Sequence, residues 1–160
     1  MSTPIDTKYE LLLAHSSQRG SDAAALLAVL RTAALAERDC AERLAAFGLT
    51  ENRLAVLLAL EQHGDVAPAM LAEQLDVTRA AVTGLLDGLE QQGLLQRSTR
   101  AADRRSVRVR LTAEGRGLLR RVAPVYDAWL AELTAGVVST HARSAIKVLQ
   151  RIQQNLDDRG

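Results

Sequence analysis

Arginine side chains are concentrated in one segment of this chain. Between residues 79 and 121 there are ten arginines and four acidic residues, a net charge of +6, whereas the rest of the chain carries −5. A protein whose overall charge is only +1 therefore gathers its positive charge on one segment, as the binding of a polyanion requires. A solvated charged face is the simpler explanation, but a forked guanidinium suits paired contacts with phosphates and base edges.

A first group of candidate contact residues lies at the start of a predicted helix that runs from Thr78 to about Gln92. Thr78 and Arg79 stand where a helix N-terminus and its side chains hold a phosphate. Ala80 is small enough to contact a thymine methyl group, and Thr83 can bond to a base edge. We expect this end of the helix to enter a DNA major groove first.

A second group lies in a tight, basic hairpin. Short strands are predicted over Leu95–Ser98 and Val107–Leu111, with a loop over Thr99–Ser106 between them. Asp103 precedes Arg105 by two residues, so that a paired hydrogen bond would hold this guanidinium in one orientation for a narrow minor groove. The plainer alternative is an exposed salt bridge worth about 0–1 kcal/mol. The candidate DNA contacts of the hairpin are Arg97, Arg100, Asp103, Arg104 and Arg105.

Two crossed helices have to position the first group. Pro68 favours the start of a short helix that reaches Leu75, and Asp76 occupies the turn, where a left-handed backbone conformation is useful. Ala67 offers no side chain to cap this short helix. The positions expected to be buried between the two helices are Leu71, Leu75, Val82 and Leu85, and Ala72 is small where the helices come closest.

Further helices are predicted on both sides of this segment, giving five or six in total. Helical spacing and capping residues place them as follows: a short helix over Lys8–Ser17; a long helix capped by Ser21 or Asp22 and ending near Phe47; Glu51–His63, capped by Thr50 and ended by Gly64; a long helix capped by Thr112 and reaching Leu133, which Pro124 should kink or split; and His141–Leu156, capped by Ser139 or Thr140.

The predicted fold is mainly α, an α+β winged helix. Residues 48–111 form a winged helix-turn-helix lobe with a two-stranded β-wing, and residues 1–47 and 112–160 form a helical dimerisation lobe. The outer helices are apolar on one face, and a second copy of the chain would bury more of that surface than the chain alone. The alternative is a compact monomeric bundle.

Several other classes of protein are disfavoured by composition and spacing. A single cysteine, Cys40, excludes an intramolecular disulfide and is interpreted as a buried small hydrophobe rather than an oxidant sensor. No paired Cys/His spacing, Ser-His-Asp set or Gly-rich phosphate loop occurs, so we assign no metal, cofactor or catalytic residue and expect no enzyme activity. The early apolar run Leu11–Ala14 is too short for a signal peptide or a membrane span, which makes the cytoplasm the expected location.

The runs LAEQLDVTRAAVTGLLDGLEQQGLLQR and DRRSVRVRLTAEG resemble the winged helix-turn-helix of the MarR family of bacterial transcriptional regulators. In this resemblance Arg105 matches the wing arginine that reaches the minor groove, and Asp103 matches its orienting partner. Ala67 and Leu54 depart from the family's usual capping Ser or Thr and its common aromatic residue. The resemblance implies a repressor that binds a pseudopalindromic operator as a homodimer and releases double-stranded DNA when a small anionic or aromatic effector binds.

A different function remains compatible with the same residues. A winged helix can serve only for contacts between proteins, without sequence-specific DNA binding. The salt dependence of DNA affinity separates the two, because affinity falls steeply with salt when several phosphates are neutralised.

Overall fold

Seven helices and one β-hairpin make up the part of the chain that the structure, a computed structural model, describes. That part covers residues 4–15, 20–100 and 103–159, and the side chains at 4–7, 13, 21 and 99–106 lie outside it. The elements are α1 (Pro4–His15), α2 (Ser21–Ala45), α3 (Glu51–His63), α4 (Pro68–Gln74), α5 (Arg79–Gln91), β1 (Leu95–Arg100), β2 (Asp103–Leu111), α6 (Ala113–Leu133) and α7 (Ser139–Asp157). The predicted class is confirmed: a mainly helical fold with a two-stranded antiparallel sheet.

Three threonines begin helices as predicted. Thr50 Oγ1 accepts from the Arg53 N–H at 3.3 Å, and Thr78 Oγ1 accepts from the Ala81 N–H at 3.1 Å. Thr112 Oγ1 accepts from the Gly115 N–H at 3.0 Å. Each hydroxyl satisfies one of the N–H groups that the first helical turn leaves without a partner.

Two predicted caps are wrong. α2 begins after Gly20, whose extended backbone makes it the N-cap in place of Ser21 or Asp22. α7 begins after Val138, ahead of the expected Ser139 or Thr140 cap. In both cases the extended residue that precedes the helix has no capping side chain, so the helix starts one residue earlier than the capping pattern suggests.

The hairpin and the helix after it also differ from expectation. The strands extend to Arg100 and from Asp103, so the predicted eight-residue loop Thr99–Ser106 is wrong. The pairing continues to Arg100↔Asp103, with an irregularity between Thr99 and Arg100. α6 is a single helix with Pro124 inside it, so the proline does not split it into two.

The main core lies where α3, α4, α5 and the hairpin meet. Its fully buried side chains include Leu57 of α3, Leu71 of α4, Leu86 and Leu89 of α5, and Val109 of β2. Leu58 of α3 lies outside this core and is 45% exposed.

The chain divides into two compact units, residues 1–123 and 124–160, with the boundary at Pro124 inside α6. In the second unit the rings of Tyr126 and Trp129 lie 5.1 Å apart, and α7 has no buried residue. The predicted division by role, with residues 1–47 and 112–160 for dimerisation and 48–111 for DNA, stays a prediction.

Candidate nucleic-acid interface

α4 and α5 form a tight helix-turn-helix pair. Leu71 of α4 and Val82 of α5 are buried between neighbouring elements, and Ala72 is buried beside them. The turn contains Asp76 at φ 50°, the left-handed conformation predicted from its residue type. The Val77 N–H donates to the Ala72 carbonyl at 3.1 Å and closes the end of α4. These contacts fix the start of α5, which carries the first group of candidate contacts.

The N-terminal face of α5 is open to solvent. Thr78, Arg79, Ala80 and Thr83 are all exposed, as a helix that reads DNA requires. The Thr83 hydroxyl donates to the Arg79 carbonyl at 2.9 Å, which leaves its oxygen lone pairs available as acceptors. Gly84 is exposed as well, and no atom of the described residues lies within 4 Å of the position that a Cβ would take, so there is open space at this position.

The base of the wing is anchored on both sides. β1 and β2 pair in antiparallel register from Leu95↔Leu111 onward. On the other edge of β2, Val66 and Val109 exchange two backbone hydrogen bonds, of 3.1 and 2.9 Å. Leu95 and Val109 are buried in the core, so the base of the wing is held in place by packing as well as by hydrogen bonds.

The side chains at the tip of the wing lie outside the described residues. The predicted contacts Arg100, Asp103, Arg104 and Arg105 therefore stay predictions, as does the hydrogen bond expected between Asp103 and Arg105. The paired backbone of Arg100 and Asp103 places this tip at the far end of the hairpin from the core.

Arg97 is placed differently from the other candidates. Its guanidinium lies against α5, where Nη1 contacts Asp87 Oδ1 at 2.6 Å and Glu90 Oε2 at 3.0 Å. Sequence reasoning missed these two acids as partners of Arg97. The signal available was their spacing of three residues, which places both on one face of α5, followed by an arginine on the next strand.

A second junction missed from the sequence joins the wing lobe to α6. Thr112 Oγ1 donates to the Gly93 carbonyl at 2.7 Å, and the Thr112 N–H donates to the Leu94 carbonyl at 3.1 Å. Gly115 is buried against the same carbonyl, so that a Cβ at this position would lie 2.1 Å from Leu94 O. The turn between α5 and β1 is therefore held directly on the first turn of α6.

Among the described titratable groups the pKa of one is clearly displaced. Burial raises the pKa of the Cys40 thiol above its ordinary value of 9.0, and the carboxylates of Glu51 and Asp39 raise it further. The thiol is almost inaccessible, at 3% exposure. Cys40 is therefore buried like a small hydrophobic residue, in agreement with its interpretation from the sequence.

The described residues contain no group of three or more His, Cys, Asp or Glu side chains arranged to hold a metal ion. In the same ranges, no helix combines the length and the apolar character that crossing a membrane demands.

Comparison with known proteins identifies relatives of the helix-turn-helix and wing segment. A model described as the MarR family matches residues 49–107. The HTH-type transcriptional repressor YetL of Bacillus subtilis (strain 168) is 37% identical over 79 residues, which are 48% of this chain and 47% of YetL. The chain thus matches about half of YetL's length.

Solved structures extend the likeness beyond the winged lobe. A MarR mutant from E. coli in complex with operator DNA has a TM-score of 0.70 and 23% identity, covering 78% of this chain and 89% of that one. BpsR of Bordetella bronchiseptica, whose DNA binding is regulated by 6-hydroxynicotinic acid, has a TM-score of 0.69, 23% identity and the same coverage, 78% and 89%. At these identities the likeness shows a shared fold.

Proposed function

Since residues 49–107 match the MarR family model, we propose that this chain is a MarR-type, sequence-specific DNA-binding transcriptional regulator, a repressor that binds a pseudopalindromic operator as a homodimer. The observation that carries the proposal is the exposed N-terminal face of α5 beside a wing whose base is anchored to the same core. A helix of this kind fits the major groove, and a basic hairpin beside it reaches the neighbouring minor groove.

Each candidate residue has a distinct role in this proposal. Thr78 and Arg79 hold a backbone phosphate at the start of α5 and set the register of the helix on the duplex. Ala80 and Thr83 face base edges, and the absence of a side chain at Gly84 lets the helix approach closely. The arginines of the wing tip, Arg105 above all, enter the minor groove.

A homodimer is supported by apolar surface that the chain does not cover. α7 has no buried residue, and Ile146, Val148 and Leu156 are each more than half exposed. On α2, Leu26 and Leu30 are also exposed. Helices with an apolar face of this extent pack against a partner, and a two-fold dimer presents two recognition helices about 34–36 Å apart.

We infer a small anionic or aromatic effector as the release signal. The support is the regulation of BpsR by 6-hydroxynicotinic acid, an aromatic acid, on the same fold. A ligand changes DNA affinity only to the extent that it binds one conformation of the dimer better than another. We expect the protein to act in the cytoplasm, where its operator is.

The proposal is tested by selecting fragments that the full chain binds from the genome that encodes it. We expect the enriched fragments to share a pseudopalindrome whose half-site centres lie one helical turn apart, including the region upstream of the protein's own gene. Bound fragments without a common sequence would favour a winged helix used for protein contacts alone.

A variant of the wing tip tests the contacts themselves. Arg105→Ala should weaken binding to the selected site by about 1–3 kcal/mol while sedimentation shows an unchanged dimer. Arg38→Ala, an exposed arginine on α2, is the matched control and should leave affinity within about twofold. Equal affinities of the two variants would remove Arg105 from the interface.

A further inference from the structure

The carboxylate of Glu90, near the C-terminal end of α5, holds both the backbone and the side chain of one residue on β1. Its Oε1 accepts from the Arg97 backbone N–H at 2.9 Å, and its Oε2 accepts from the Arg97 guanidinium at 3.0 Å. Asp87, one turn earlier on α5, accepts from the same guanidinium nitrogen at 2.6 Å. We call Asp87, Glu90 and Arg97 the helix–wing clamp.

The contacts of the Arg97 guanidinium extend over two turns of α5. Arg97 Nη2 also donates to the Thr83 carbonyl at 3.4 Å, so the guanidinium bridges from Thr83 to Glu90 along the helix. The Arg97 side chain is 27% exposed, which partly shields these charged hydrogen bonds from water. A planar fork with five donors fits this set of acceptors, whereas a lysine ammonium does not.

The charge of the clamp argues against a direct DNA contact by Arg97. Two carboxylates surround one guanidinium, so the three side chains carry a net charge of −1 and offer no net attraction to a phosphate. Arg97 follows buried Leu95 on the inner face of β1, where it extends the attachment of the wing outward from the core.

We infer that Arg97 is a positioning residue: the clamp fixes the wing relative to the recognition helix α5 so that both elements dock on DNA without reordering. The inference rests on the proposed function. Its physical basis is conformational entropy. If the wing moves freely relative to α5, it has to be ordered when DNA binds, and the free-energy cost of that ordering lowers the affinity.

The direction in which one substitution changes DNA affinity separates a positioning role from a purely electrostatic one. Glu90→Gln removes a negative charge beside the DNA-binding surface, which by charge alone strengthens binding. An amide has one acceptor oxygen and cannot accept from both Arg97 donors with the strength of a carboxylate. We therefore expect affinity for the selected site to fall by about tenfold. Glu73→Gln, an exposed acid on α4, is the control and should leave affinity unchanged or raise it.

The dependence of affinity on salt tests Arg97 directly. Arg97→Gln should weaken binding while the slope of log K against log salt stays that of the unaltered protein. A residue that contacts a phosphate contributes about 0.9 to that slope. A slope smaller by this amount in the variant, or an affinity equal to that of the unaltered protein, would overturn the inference.

A third measurement needs no DNA. In the folded full chain, Glu90→Gln should speed hydrogen exchange of the Arg97 amide by about tenfold, because its acceptor is weakened, while buried amides of α5 keep their rates. Unchanged exchange at Arg97 would show that no clamp operates.

If the unaltered protein binds no specific site, the proposed function fails and the positioning role with it. Specific binding that Glu90→Gln leaves intact refutes the inference alone.

Discussion

Gly115→Ala should destabilise the fold through a single close contact. A Cβ added to Gly115 would lie 2.1 Å from the Leu94 carbonyl oxygen and 3.0 Å from Leu111 Cδ2. Real Cβ atoms essentially never come within 3.0 Å of such an atom, so the first turn of α6 and the Gly93–Leu94 turn must separate by about 0.9 Å. The obstacle is backbone, which cannot swing aside as the end of a long side chain does.

The cost follows from what that separation disturbs. Leu94 O accepts from the Thr112 N–H, and Gly93 O accepts from the Thr112 hydroxyl. Overpacking costs about 1–3 kcal/mol and each weakened hydrogen bond about 1 kcal/mol, against a gain of up to about 1 kcal/mol in helix propensity. We expect a net loss of about 2–4 kcal/mol in the free energy of unfolding, which lowers Tm by about 4–16 °C.

The assay is urea and thermal unfolding at one protein concentration, because dimerisation makes Tm depend on concentration. Gly117→Ala is the matched control, two residues along the same helix, where the nearest atom to a Cβ is the movable Arg120 Nη2 at 3.8 Å. It should stabilise the protein by up to about 1 kcal/mol. If both variants are equally stable, the close approach at Gly115 does not exist.

Three smaller predictions concern the N-terminus of α3, the thiol on α2 and a glycine on α5. Thr50→Ala should cost about 1 kcal/mol in urea unfolding because the Arg53 N–H loses its cap, and Thr50→Asn should restore it; equal losses for both would exclude the cap. Iodoacetamide should alkylate Cys40 about 100-fold more slowly in the folded protein than in urea, since burial raises the thiol pKa and ionisation above pH 9 favours the unfolded chain; equal rates would contradict its burial. Gly88→Ala should change stability by less than about 1 kcal/mol, because the atom within 2.7 Å is the flexible end of Arg53; a loss above about 2 kcal/mol would mean that this side chain cannot move.

Local chemistry made much of the fold predictable from the sequence. Thr50, Thr78 and Thr112 cap helices through bonds to residues three positions away, so both partners are visible in the sequence. Asp76 adopts its left-handed conformation for an equally local reason, its short polar side chain. These features depend on nothing outside one turn of chain.

The length of the hairpin could not be predicted in the same way. The alternation of apolar and polar residues ends at Val107, which is 38% exposed, whereas the backbone pairing continues to Arg100↔Asp103. Alternation of apolar and polar residues indicates that one face of a strand is buried. Here the backbone forms a strand although the sequence shows no such alternation. The expected loop was therefore too long.

The clamp and the Gly115 contact depend on where separate elements come together. Arg97 meets Asp87 and Glu90 only because β1 folds back along α5. Spacing within the sequence places the two acids on one face, but it does not say what lies opposite them. For the same reason Arg97 was grouped with the candidate DNA contacts, an assignment that the salt dependence of Arg97→Gln now tests.

The most direct test of the central claim is an anisotropy titration of a labelled duplex that carries the selected pseudopalindrome, against a scrambled duplex of equal length. Titrations at several salt concentrations should show two chains bound per duplex and a steep loss of affinity with salt. At physiological salt we expect the selected duplex to bind about 1,000-fold more tightly than the scrambled one. Equal affinity for the two duplexes would contradict sequence-specific recognition by α5 and the wing.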